Sequence, residues 1–223
     1  MIQTVIFDMD GVIVDTEPVH HYAYNQHFKH LNIEVSADMY AAFTGKSTKN
    51  IYTQLKEVFD LKEDVQTLVK AKRKLFNEAF DSKKDLHLLD GVEDLIKDLY
   101  NNGIQLVVAS SSANETINKV FKRFELDKYF THKVSGEDFP KSKPDPAIFL
   151  QAAKVAQTPI ENCIIIEDST NGIKGANAAG IFCIGYKSFH SKGQDYKTAN
   201  MVISSFDELN FKIISKINDE KIL

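Results

Sequence analysis

The chain of 223 residues has only two cysteines, too few for a disulfide framework. Cys163 and Cys183 each sit in a short apolar run and read as small buried hydrophobes. Glycine and proline are scarce, at 10 and 5 residues, which excludes a collagen-like or low-complexity chain. No apolar run approaches the roughly 18 residues that a membrane span needs. Met1 to Thr4 carries no basic segment and no cleavable signal pattern. These absences lead to the expectation of a reducing, cytoplasmic setting without a membrane partner. Lys and Arg number 27 against 31 Asp and Glu, so the basic excess of a dedicated nucleic-acid binder is also missing. No Gly-x-Gly-x-x-Gly follows the first apolar run and no Walker lysine motif occurs, which excludes the common nucleotide cradles.

What is present is an alternation. Val5-Ile6-Phe7 is a short, β-branched run that stops at Asp8, as a buried strand would. Similar runs span 104–109, 163–166 and 181–185. Helical faces separate them: Val92, Leu95, Ile96 and Leu99; Ile117, Val120, Phe121 and Phe124; Ile148, Phe149, Ala152 and Ala153. Gly103 stands where a helix C-terminal glycine is expected. Ser112-Ala113-Asn114-Glu115 and Thr158-Pro159-Ile160-Glu161 each fit a capping box opening a helix. The expectation is an α/β fold, a parallel sheet covered on both faces. The segment 16–84 breaks the rhythm and shows no convincing strand. Ile51, Tyr52, Leu55, Val58 and Phe59 form one helical stripe, and Val65, Leu68, Val69, Leu75, Phe76, Ala79 and Phe80 another. A crossover needs about a dozen residues, so this segment reads as an inserted helical cap domain. The core is then discontinuous, residues 1–15 and 85–223.

In an open parallel sheet, ligands bind beyond the carboxyl ends of the strands. The residues there are Asp8 and Asp10, then Ser110, Ser111 and Ser112, then Glu167 and Asp168, with Lys143 in the loop between. Four carboxylates on one rim need a positive charge among them. Mg²⁺ fits, because it takes one or two carboxylates with waters and phosphate oxygens. The serines can donate to an anion, and Lys143 can neutralise a phosphate or a nucleophilic carboxylate. The set suits a phosphoryl group on a metal, attacked by a carboxylate.

These residues resemble the four motifs of the haloacid dehalogenase superfamily. Phe-Asp8-Met-Asp10-Gly-Val resembles the first, Leu106-Val-Val-Ala-Ser110 the second, Lys143-Pro144 the third, and Ile164-Ile-Ile-Glu167-Asp168-Ser-Thr-Asn-Gly172 the fourth. All occur in order across essentially the whole chain, and segment 16–84 resembles a helical type-1 cap over a Rossmann-like core. The resemblance implies that Asp8 is the nucleophile and forms an aspartyl-phosphate. It implies that Asp10 protonates the leaving oxygen and then activates water, its carbonyl also reaching the metal. Ser110, or Ser111 or Ser112 in its place, would hold the phosphoryl oxygens. Lys143 would pair with Asp8 and phosphate, with Lys141 its nearest substitute. Asp168 would ligate Mg²⁺, and Glu167 would do so directly or through water.

The cap segment resembles that of β-phosphoglucomutase and related sugar-phosphate phosphatases. Asp15-Thr16-Glu17-Pro18-Val19-His20 fits that group's entry into the cap, with His20 a substrate candidate and Thr16 a hinge. Thr44-Gly45-Lys46-Ser47-Thr48 resembles its substrate loop and makes Ser47 a candidate. Thr48 stands where the mutase pattern has arginine and Ala113 where it has lysine, while Asn114 and Lys74 match. Lysine offers no planar fork to replace that arginine. The expected activity is therefore a Mg²⁺-dependent phosphatase of a small phosphorylated metabolite, sugar phosphates included, working as a monomer. A phosphosugar mutase is the alternative. Pyrophosphate hydrolysis and a non-catalytic binding protein on the same scaffold stand further back. Dehalogenase action is disfavoured because Asp10 is kept. His21, His27 and His30 show no metal spacing and take no role.

Overall fold

A computed structural model describes residues 1–187 and 193–217. Its strands are β1 (Thr4–Phe7), β2 (Gln105–Ser110), β3 (Phe130–Ser135), β4 (Cys163–Glu167), β5 (Phe182–Tyr186) and β6 (Met201–Ile203). They form one parallel sheet in the order β3-β2-β1-β4-β5-β6. The two halves of the sheet run outwards from the β1–β4 pair. Chain order reverses there, and a crevice opens beyond the strand ends.

Side chains alternate across the sheet with a period of two, and both faces are covered. Val5, Phe7, Leu106, Val108, Ile164 and Ile166 pack on one face. Against them lie α5 (Val92–Asn101), α6 (Asn114–Arg123) and α9 (Phe211–Lys216). Ile6, Val107, Ala109, Cys163, Ile165 and Cys183 fill the other face, under α7 (Ala147–Val155) and α8 (Thr170–Ala178). Both cysteines are buried and unbridged, and burial pushes the Cys163 thiol up to about 12.

Between β1 and β2 the chain forms α1 (Glu17–His30), α2 (Ala37–Ala41), α3 (Thr48–Phe59) and α4 (Val65–Ser82). Tyr24, Phe28, Phe43, Ile51, Tyr52, Leu55 and Leu68 make a separate apolar cluster there. Val19 and Ala23 of α1, and Phe76 and Phe80 of α4, join the cluster beneath the sheet instead. These two helices thus belong to both clusters at once, and they fix the insert over the strand ends.

Four expectations need correction. The edge strands β3 and β6 were not read from the pattern, because an edge strand tolerates polar residues: Thr131 and Lys133 are exposed within β3. The first capping box does not form. Ala113 is the N-cap of α6, and the Ser112 hydroxyl is drawn to Asp10 instead. The second box does not form either. Thr158 shares a 2.8 Å hydrogen bond with Thr4, and Pro159 opens only a three-residue turn before β4. Finally, Val58 is exposed rather than part of the buried α3 stripe.

Candidate active site

The site is built on three strand ends, those of β1, β2 and β4, and on the loop between β3 and α7. Asp8 follows β1 directly, and its backbone N–H still bonds to the Ile166 carbonyl of β4, at 3.0 Å. This extension of the ladder holds the Asp8 side chain beside the end of β4. The chain then turns at Gly11, where φ is +84°. An added Cβ there would lie 2.3 Å from Asp168 Oδ2, so glycine answers both a backbone and a space requirement.

Lys143 is buried below Asp8. Its Nζ donates to Asp8 Oδ1 at 2.5 Å, to Glu167 Oε1 at 2.8 Å and to the Ala109 carbonyl at 3.0 Å. All three ammonium protons are therefore engaged. Burial alone would discharge Lys143, but the charges of Asp8 and Glu167 outweigh it and hold its pKa above the ordinary value. Asp8 moves the other way from a free carboxylate. Burial raises it to about 7, and repulsion from Glu167 and Asp10 adds to that, against the pull of Lys143.

Glu167, expected to reach the metal directly or through water, has both carboxylate oxygens engaged within the protein. Its Oε1 accepts from Lys143, and its Oε2 accepts from the Ser169 N–H at 2.7 Å and hydroxyl at 2.9 Å. Gly172 packs so close that an added Cβ would meet the Glu167 carboxyl at 1.8 Å. The residues lining the cavity above include Asp8, Asp10 and Asp168 but not Glu167.

Asp10 is surrounded by donors. Thr16 Oγ1 donates to its Oδ1, Ser112 Oγ to its Oδ2 at 2.7 Å, and Ser110 Oγ to its Oδ2 at 3.3 Å. His20 Nε2 lies 3.5 Å from Oδ1. Burial would raise this carboxyl, but the hydrogen bonds from His20, Thr16 and Ser112 overcome it. Asp10 is held below the usual carboxylate range. On the other side of the imidazole, Lys72 Nζ sits 2.7 Å from His20 Nδ1. When that ammonium is charged it can only donate, so Nδ1 then accepts and the ring proton faces Asp10 from Nε2. Burial lowers the His20 pKa, and Lys72 lowers it further. Burial likewise brings Lys72 down to about 7, against Asp10 and Glu17.

Lys72 is the residue that sequence reasoning passed over, in favour of Lys74. Lys74 is exposed and lies 4.0 Å from Glu78, away from the site. Lys72 is 2% exposed, under the rings of Tyr24 and Phe76. The signal was available: Leu68, Lys72, Phe76 and Phe80 recur every four residues along the buried face of α4. Asn114 is also corrected. Its amide nitrogen reaches Asp138 and its backbone N–H reaches Glu137, and it lines neither cavity. Ser47 caps α3 by accepting from the Asn50 N–H and lines a second cavity. Ser111 donates to the Gly45 carbonyl at 2.8 Å. Glu17, Tyr40 and Lys46 line the first cavity as well, and burial lifts Glu17 to about 7.

The second cavity adjoins the first, sharing His20, Thr48, Ser111 and Ser112, and is lined by Lys49, Lys72 and Arg73. The Arg73 guanidinium is paired with Glu137 at 2.8 Å. Among the described residues no three His, Cys, Asp or Glu side chains form a ready-made cation cluster. Asp8 and Asp168 nevertheless line one cavity, and a cation between them would oppose the burial that raises Asp8. Two carboxylates, with water and phosphate oxygens completing the shell, fit the needs of Mg²⁺.

The model of the haloacid dehalogenase-like hydrolase family matches residues 5–186. The chain is similar to a β-phosphoglucomutase from Bacillus subtilis, 30% identical over 95% of this chain and 93% of that protein. It is also similar to a phosphorylated carbohydrates phosphatase from Thermotoga maritima, 28% identical over 80% and 82% of the two chains. The crystal structure of β-phosphoglucomutase from Clostridium difficile superposes with a TM-score of 0.86, at 28% identity, covering 100% of this chain and 99% of that one. Among the described residues no helix is long and apolar enough to cross a membrane.

Proposed function

This chain belongs to the haloacid dehalogenase-like hydrolases and is an enzyme of phosphorylated compounds, and we propose that it is a Mg²⁺-dependent phosphatase of a small sugar phosphate. The carrying observation is the buried Asp8–Lys143–Glu167 array beneath a cavity that Asp10 and Asp168 also line. One carboxylate there is held against a fixed cation, and a second, two residues on, is surrounded by proton donors.

In the first step an Asp8 oxygen attacks phosphorus as the ester P–O bond breaks. Asp10 delivers a proton to the departing oxygen. In the second step water attacks the aspartyl-phosphate, Asp10 takes its proton, and Asp8 is released with inorganic phosphate. The hydrogen bonds on Asp10 hold it ionised in the free protein, the state the second step needs. Arriving phosphate charge favours its protonation for the first. Lys143 neutralises Asp8 and the incoming phosphoryl oxygens, and Ser110 and Ser112 flank the same point. Asp8 and Asp168 would hold Mg²⁺, which when bound supplies positive charge for the phosphoryl oxygens. Glu167 acts by fixing Lys143. Residues 16–84 act as a lid that excludes water from the reaction.

The second cavity favours a phosphatase over a mutase. A mutase must grip a second phosphate while the sugar turns over. Among the described residues, the arginine lining that cavity is committed to Glu137, and Thr48 brings no positive charge. Phosphate release across a panel of sugar phosphates, with and without EDTA, tests this reading. A parallel assay follows conversion of β-glucose 1-phosphate to glucose 6-phosphate with a bisphosphate primer. Mg²⁺-dependent phosphate release without isomerisation is the expected result. Isomerisation faster than release, or full activity in chelator, overturns it.

A further inference from the structure

The Thr44–Gly45 segment, in the loop before α3, makes three contacts with the catalytic floor. Asn171 Nδ2, in the first turn of α8, donates to the Thr44 carbonyl at 2.8 Å. Ser111, just beyond β2, donates to the Gly45 carbonyl at 2.8 Å. Gly45 itself has φ +79°, and an added Cβ would lie 2.6 Å from Ser169 Oγ and 3.0 Å from Asn171 Cβ. Ser169 cannot simply step aside. Its hydroxyl donates to Glu167 Oε2 and accepts from the Gly172 N–H, capping α8. The two donors come from opposite sides of Asp8, one from the loop after β2 and one from the helix after β4. Two adjacent peptides of the insert are thereby gripped across the nucleophile.

We propose that Asn171 is a positioning residue for closure: its amide holds the Thr44 carbonyl, so that the 44–48 loop seats its Lys46 and Thr48 over Asp8. The mechanism above makes no use of Asn171, and its side chain touches no reacting atom. Its part is to recognise main chain rather than a side chain, which only the correct seating of Gly45 presents. Lys46 and Thr48 line the cavity from that loop, so loosening the grip removes one wall of the site. The proposal rests on the phosphatase reading only for its kinetic consequence.

The test pairs Asn171→Ala with the isosteric Asn171→Asp, which sets an acceptor against the carbonyl. Backbone hydrogen exchange of the free protein is measured for residues 44–49 and, as a control, for β1 and β4. Losing one neutral hydrogen bond is expected to raise loop exchange by about 3- to 10-fold, with Asp at or above Ala. Exchange in the strands and the thermal midpoint stay as in the parent. With p-nitrophenyl phosphate as probe, kcat/KM falls by the same factor. Gly45→Ala, acting from the other side of the contact, produces the same local pattern. Parent-like loop exchange in both Asn171 variants overturns the proposal. So does a rise spread through the strands with a lowered midpoint, since that marks a role in folding alone. If the parent protein hydrolyses no phosphoester, the phosphatase reading fails while the exchange arm still decides the latch.

Discussion

Replacing Lys143 by methionine removes a cation that faces both Asp8 and Glu167, while keeping most of the side-chain volume. The ammonium is 2.5 Å from Asp8 and 2.8 Å from Glu167, with 1% of its side chain exposed. Removing one partner from such a buried cluster costs about 3–5 kcal/mol, because the remaining charges stay buried without compensation. In a domain of this size about 2–4 °C of midpoint accompanies each kcal/mol, so a loss of about 6–20 °C is expected at pH 8. The sign with pH follows from Asp8. Its pKa is raised from 3.8 to about 7, so its ionisation works against the fold as pH rises through that window. Without Lys143 the pKa rises further and the window extends upward. At pH 5 Asp8 carries its proton, one of the two repelling charges is gone, and part of the lost stability returns. Thermal unfolding at pH 5 and pH 8, in chelator, reads this directly. A deficit equal at both pH values, or below about 1 kcal/mol at pH 8, refutes the electrostatic account of this cluster.

Lys72→Met is expected to lower kcat/KM by about 10- to 100-fold through loss of the His20 contact, whereas Lys74→Met stays within about twofold, as a surface substitution should. Steady-state kinetics on one sugar phosphate decides between them. Asp10→Asn keeps a side chain of the same shape but removes proton transfer, so hydrolysis of an alkyl phosphate falls by about 10²- to 10⁴-fold. With p-nitrophenyl phosphate, whose leaving group needs no proton, the first step is spared and a burst of p-nitrophenol precedes slow turnover. Gly172→Ala drives a methyl into the Glu167 carboxyl and is expected to cost about 3 kcal/mol, read by urea unfolding. Chelation followed by Mg²⁺ addition should abolish and restore phosphate release while leaving the far-ultraviolet circular dichroism spectrum unchanged.

Residues on strand ends were the most legible part of the site. Asp8, Ser110 and Asp168 each close or follow an apolar run, and the parallel topology gathers such positions on one rim. Lys143 comes from a loop, so periodicity said nothing of it; its position between the strand ends put it on the rim, and the motif resemblance paired it with Asp8. Lys72 is hidden by its neighbours: Lys70, Arg73 and Lys74 give the stretch the composition of a solvated face, and the four-residue spacing with Leu68 and Phe76 is the contrary signal. Ser112 failed as a cap for an informative reason. Local chemistry favours its hydroxyl capping α6, but Asp10 lies 2.7 Å away across 102 residues of chain. Local rules yield where a functional site competes for the same group. The edge strands escaped because exposure on one side dilutes the apolar pattern that the central strands display on both faces.

The central place of β1 also sets a schedule for the nascent chain. Its two partners are β2, beginning at Gln105, and β4, beginning at Cys163. β1 precedes this second partner by more than 150 residues and therefore stays half-paired until β4 has left the ribosome. At about 5–20 residues per second, that wait is on the order of 10–30 s. The helices of residues 16–84 can gather in the interval, since their contacts are local. Catalytic competence thus waits on β4: the first residue of the chemistry emerges long before the strand that positions it.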